Sequence, residues 1–179
     1  MSDNSLGDGD YYEMSDYAGF GTRLLVLLID GAFLFGAAFV LWQPFAAYWT
    51  SNPESDPTRI YLLLLIFITV GYLVFLKRSF GTVAYLVLGL KIVTAKGGRV
   101  GFVTMAMRMM MWLLGPFNIV LDLIWLGADT ESQSLRDCFL NTYVVKRNAK
   151  PIGRAPMHLA RYSACGLMLA YPRVSRPDK

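Results

Sequence analysis

The sequence predicts an all-α integral membrane protein: a transmembrane helical hairpin, a third apolar segment broken at a Gly-Pro pair, and short cytoplasmic amphipathic or β pieces. Three observations carry this expectation. The chain of 179 residues is 55% hydrophobic and only 17% charged, with a mean hydropathy of +0.41. Soluble domains carry about 45–50% apolar and about 25% charged residues. The apolar residues fall in blocks, not along one face of an amphipathic pattern. The bases gather at the block ends: residues 77–108 hold six Lys or Arg and no acid, and nine more bases run from Arg136 to Lys179. Such clusters mark cytoplasmic flanks, where positive loops are retained and anionic headgroups attract them.

Taken in order, residues 1–17 are acidic and rich in Gly and Ser, and read as a disordered leader. Residues 24–42 are 19 residues with one charge, Asp30, close to the roughly 20 needed to cross a bilayer. With no basic n-region or cleavage signal, this block is expected to stay as a span and not be removed. Trp42, Tyr48 and Trp49 supply an interfacial aromatic belt. A connection with three prolines, residues 43–59, leads to the uncharged second span, IYLLLLIFITVGYLVFL, residues 60–76. Lys77-Arg78 closes it, so both ends of the hairpin are expected inside.

Residues 80–100 mix apolar residues, bases and four glycines. They read as an interfacial helix or a short strand followed by the turn KGGR, with a plain loop as the other option. The third block, residues 105–127, leaves two solutions. A straight span would carry the following bases to the wrong side. A break at Gly115-Pro116 would give two half-helices, 103–114 and 118–127, that dip in and return, and the charge distribution favours it. Thr142 to Val145 suggests a short strand. Residues 148–179 form a basic tail with four prolines, in which 157–170 is too short to span.

The intramembrane and juxtamembrane charges are the candidate functional groups. An aspartate at the bilayer centre costs roughly 2.5–3.5 kcal/mol on insertion scales. Arg23 lies roughly 10 Å along the helix from Asp30, too far for direct contact. Asp30 therefore needs another helix, water, an ion or its own proton. It is either a hydrogen-bonded carboxyl that holds helices together or a carboxylate that binds a cation or carries a proton. Asp122 shares a helical face with Asn118 and is the second ion- or proton-binding candidate, with a plain interfacial position as its alternative. Arg23 is an interfacial anchor or a partner for Asp137, and Asp137 serves capping or pairing with Arg136 or Lys146.

No metal site or cofactor is expected: His158 stands alone and Cys138 and Cys165 lack ligand spacing, which fits reduced structural thiols. The pI near 9.1 comes without a basic helix or aromatic platform, so nucleic acid is not an expected partner. No Ser/His pair, His-Glu-x-x-His or Gly-x-Ser-x-Gly element is present, and the protein is not expected to be an enzyme; only an Asp30/Asp122 dyad would imitate one.

Three motifs in order, AGFGTRLLVLLID opening the first span, GLKIV with a glycine turn and MAMR, and LRDCFLNTYVV, resemble the RDD family of membrane proteins. The resemblance covers about Tyr17 to Lys146, giving an RDD-like transmembrane domain over 18–147. The family is named for an arginine and two aspartates, which fall on Arg23, Asp30 and Asp137. Where the family often has Thr-Pro-Gly-Lys this chain has Thr82 to Tyr85, TVAY; Arg136 replaces a histidine and Asn141 a glycine. The resemblance implies a bacterial cytoplasmic membrane location with both termini cytoplasmic, and the bilayer itself as a partner. It implies one of two roles. The first is proton-coupled transport of a monovalent cation by a homo-oligomer, with Asp30 as carrier. The second is a membrane scaffold or assembly factor that recruits partner proteins.

Overall fold

The computed structural model describes residues 5–113, 120, 122, 125, 131–164 and 167–176. In chain order these form β1 (Asp8–Tyr11), α1 (Phe20–Ser51), α2 (Thr58–Val70), a π-helical segment (Gly71–Leu76), α3 (Lys77–Ser79), α4 (Val83–Val87), β2 (Leu90–Thr94), α5 (Phe102–Leu113), α6 (Leu135–Leu140), β3 (Thr142–Lys146), β4 (Gly153–Ala164) and β5 (Leu167–Val174).

The hairpin is longer and its turn tighter than the sequence suggests. α1 runs through Pro44 to Ser51, and the turn is reduced to residues 52–57. Aromatic packing holds this end together: Tyr61 meets Trp42 and Phe45 edge-on, and its hydroxyl donates to the Ala38 carbonyl at 3.3 Å. At the turn, the Asp56 carboxylate accepts the Thr58 N–H and so satisfies a free donor at the start of α2. Both helical stretches, 20–51 and 58–87, are long and apolar enough to cross a membrane, and only 11% of either apolar window is buried. That exposure decides between two kinds of apolar helix. A core helix of a soluble domain would be mostly covered, whereas these present Phe35, Phe39, Leu63 and Phe67 outward.

The fold is not the expected all-α architecture. Five strands among the described residues form two antiparallel sheets, β1-β4-β5 and β2-β3. The reason lies in pairing between distant parts of the chain. Within the leader, Asp8–Tyr11 has too few residues to signal a strand alone, yet it pairs with β4 from Asp8↔Pro156 to Tyr11↔Gly153. The tail folds back on itself as β4–β5, so a segment too short to span becomes a hairpin. Along β4 the alternation is plain: Ala155 and Met157 are buried, Arg154, Pro156 and His158 exposed. The leader, expected to be disordered, and the basic proline-containing tail are therefore two parts of one sheet over their described residues.

The sheets share a core of Tyr12, Tyr17, Val93, Tyr143, Val145 and Met157, among others. β3 joins this cap to the hairpin because both its faces are used. Tyr143 and Val145 enter the core between the sheets, while Val144 packs with Ala18, Val26 and Ala84 against α1 and α4. The Ala18 N–H donates to the Val144 carbonyl at 2.9 Å, which fixes the start of α1 to the strand. Val74, Val100 and Met105 pack the π-helical segment against α5. The cap thus sits at the end of the hairpin that carries Phe20 and Lys77. Residues 80–100, left open between helix, strand and loop, contain α4, β2 and the glycine turn. The first half-helix, expected over 103–114, is α5; the Gly115-Pro116 break lies outside the described residues, as does the half-helix 118–127 apart from Val120, Asp122 and Trp125.

Candidate functional site

Asp137 occupies the junction of hairpin and cap. Ser134 caps α6, and a reciprocal box forms: the Ser134 hydroxyl accepts the Asp137 N–H, and the Asp137 carboxylate accepts the Ser134 N–H. The helix ends at Asn141 in the left-handed conformation, φ 50°. Asparagine is the side chain best able to replace glycine there, which accounts for the Asn141 departure. So held, the fully buried Asp137 carboxylate meets Arg23 from α1 on one oxygen and Arg108 from α5 on the other. Arg108 also donates to the Thr142 hydroxyl, and Arg23 to the carbonyls of Ala18 (3.0 Å) and Ser132 (2.7 Å). Burial opposes ionisation of Asp137, but Arg108 and then Arg23 outweigh it and hold the carboxyl well below the usual carboxylate range. One carboxylate therefore clamps α1, α5, α6 and β3.

Asp30 is also buried, two helical turns along the same face from Arg23. It accepts from the Tyr72 hydroxyl (2.8 Å), the Thr82 hydroxyl (2.7 Å) and the Ala84 N–H (3.2 Å), and Lys77 Nζ stands 4.0 Å away. Tyr72 and Lys77 are five residues apart, a spacing that puts them on different faces of a regular α-helix. They share Asp30 because Gly71–Leu76 winds as a π-helix, with i→i+5 hydrogen bonds and a wider turn. Thr82 and Ala84 belong to TVAY, so the altered family motif still supplies two donors to Asp30. Tyr85, where the family often has lysine, lies beneath Lys77 with the ammonium 4.6 Å from its ring centre.

Asp122 pairs with Arg136, whose backbone N–H it also accepts at 3.2 Å. Its expected face-mate Asn118 lies outside the described residues. Arg23, Asp30, Lys77, Arg108, Asp122 and Arg136 all line one cavity of about 170 Å³ between α1, the π-helical segment, α5 and α6. Asp30 and Asp122 thus border the same space, but each is held by its own partners. No group of three His, Cys, Asp or Glu able to hold a metal ion occurs among the described residues.

The RDD family profile matches residues 17–141, which takes in Arg23, Arg108 and Asp137 of the clamp, the Asp30 cluster and both membrane-length helices. The chain belongs to the RDD family. No curated protein and no solved structure matches it. Together with the two exposed apolar helices, RDD membership makes this a membrane protein. The RDD arginine and second aspartate contact each other, Arg23 with Asp137, and the first aspartate forms a separate cluster. Reading the sequence missed Tyr72, Lys77, Thr82, Arg108 and Thr142. Arg108 carried a usable signal, a lone base inside an apolar block, and such a group needs a buried partner. Tyr72 carried none, because its reach to Asp30 depends on the π winding.

Proposed function

We propose that the protein is a membrane-embedded scaffold or assembly factor, with its β cap on the cytoplasmic side of the membrane. One observation carries the reading: the three buried carboxylates that would have to carry a cation are all occupied from within. Asp30 accepts three hydrogen bonds, Asp122 holds Arg136, and Asp137 holds two arginines. A cation carrier needs free carboxylate lone pairs in at least one state; here Asp137 spends them on joining cap to hairpin, and Asp30 and Asp122 spend most of theirs on neighbouring helical segments. The outer faces of the spans, by contrast, are apolar and open to lipid or to other spans. Orientation follows from charge. Lys77, Arg78, Lys91, Lys96 and Arg99 surround the cap end, while the turn end holds Glu54, Asp56 and the single base Arg59.

A second reading, proton-coupled monovalent-cation transport by a homo-oligomer, is favoured by the Asp30–Lys77 pair beside the cavity. The open space next to Gly31 and Gly36 would admit a second copy at close range. Everted vesicles separate the two. Na⁺, Li⁺ or K⁺ is added to collapse a pH gradient, comparing the parent with Asp30→Asn at matched abundance. A scaffold gives no signal above empty vesicles. It also cross-links in the membrane to a stoichiometric partner, and that cross-link is lost when Phe35 and Phe67 are truncated. Cation-driven collapse that disappears in Asp30→Asn would replace the scaffold with the transporter.

A further inference from the structure

Among the described residues, charge around the cavity does not balance. Arg23, Lys77, Arg108 and Arg136 are set against Asp30, Asp122 and Asp137, four cations to three carboxylates. Buried charge is costly unless it is compensated, and the surplus is one positive charge. It is also localised. The Lys77 ammonium, with three donors, makes no hydrogen bond among the described residues; Asp30 at 4.0 Å and the Tyr85 ring at 4.6 Å are its neighbours. Asp30 is already bonded three times. On the same cavity, Arg108 reaches Asp137 and Thr142 through Nη1. Much of the remaining wall is apolar, with Leu27, Leu34 and Leu73 on the two membrane-length stretches and Met109 on α5. The cavity is about ten times the space that admits one water, which suffices for a phosphate group but not for acyl chains.

We infer that this cavity binds the phosphodiester headgroup of an acidic membrane phospholipid, with Lys77 and Arg108 as donors to the phosphate and the acyl chains lying on the exposed faces of α1 and α2. A headgroup of one net negative charge balances the surplus. A zwitterionic headgroup would bring its own ammonium into a site that already has one cation too many. The inference stands apart from the scaffold and transport readings, since neither requires a bound lipid.

The test uses the full chain, extracted in a mild detergent, stripped of lipid and incubated with phosphatidylglycerol or phosphatidylcholine at equal concentration. Retained lipid is counted by native mass spectrometry. The expected result is one phosphatidylglycerol per chain, at least tenfold less phosphatidylcholine, and at least tenfold loss of phosphatidylglycerol in Lys77→Met. Lys77→Arg, which keeps the charge, and Arg59→Gln, at the other end of the hairpin, should retain it. Lys77→Gln serves as a second neutral variant should Lys77→Met fail to fold. Equal retention of both lipids, or retention unchanged in the neutral variants, overturns the inference. So does inorganic phosphate that saturates the same lysine-dependent site while no lipid is preferred, because the source is then a free anion.

Discussion

Removing the Asp137 carboxylate is the sharpest perturbation the fold offers. In Asp137→Ala, Arg23 and Arg108 keep side chains only 12% and 8% exposed and lose their shared counter-charge. Breaking a buried ion pair from one side costs about 3–5 kcal/mol. The loss of the reciprocal cap at Ser134 adds about 1 kcal/mol. Against a typical total of about 5–15 kcal/mol, that is a large share of the stability. Unfolding in mixed micelles, followed by tryptophan fluorescence, should report a loss of about 4–6 kcal/mol. Adding Arg108→Met to Asp137→Ala should recover more than 1 kcal/mol, since the second change removes an uncompensated charge. The same clamp sets an acid limit. The Asp137 carboxyl is depressed when folded, so its contribution is complete above the ordinary carboxylate pKa near 4 and falls away as pH drops below it. A single variant within 1 kcal/mol of the parent, or strict additivity in the double variant, would refute the clamp.

Three further expectations concern other positions. Asp30→Asn keeps one acceptor oxygen and forces Thr82 to reverse its hydroxyl, so it should fold with a loss of about 1–3 kcal/mol in the same micelle titration. Burial, and then Glu131, push the Tyr17 phenol up to about 12. Its contribution is therefore full below its unfolded pKa of about 10 and lost as pH rises toward 12. Tyr17→Phe should flatten that alkaline loss and cost about 1 kcal/mol at neutral pH, because the Tyr12 N–H and Arg176 lose an acceptor. Gly97 has φ +81° and its missing Cβ would collide with the Asp10 carboxylate. Gly97→Ala should therefore lower the melting temperature and accelerate amide exchange in β1, while leaving exchange in α1 unchanged.

The hairpin was legible because its signal is local: each apolar block is contiguous and ends in charge or aromatic residues. β3 was legible for a similar reason, as Thr142 to Val145 is β-branched and aromatic on its own. The sheet β1-β4-β5 was not, because Asp8 meets Pro156 and neither segment advertises its partner. Of the candidate site, the residue types were readable and the contacts were not. Arg23 offered an anchor or a partner for Asp137, and the choice is made by α6 and β3, which bring Asp137 back to the start of α1. Asp30 plainly needed partners, but three of them come from segments whose winding or capping departs from regular helix. The Lys77 surplus became visible only once all seven charges were gathered in one place.

The wide turn at Gly71–Leu76 has a consequence for how this chain tolerates changes in length. A π-helical turn accommodates about one residue more than an α-helix between flanks that keep the same direction. Deleting one residue there would let the helix close into ordinary winding, with α2 and Lys77 still aimed as they are. Elsewhere in the span a one-residue deletion would swing everything beyond it by about 100° and turn Lys77 away from Asp30. Gly71–Leu76 is therefore an expansion joint, the place where the length of the second span is adjusted without disturbing the charges at its end.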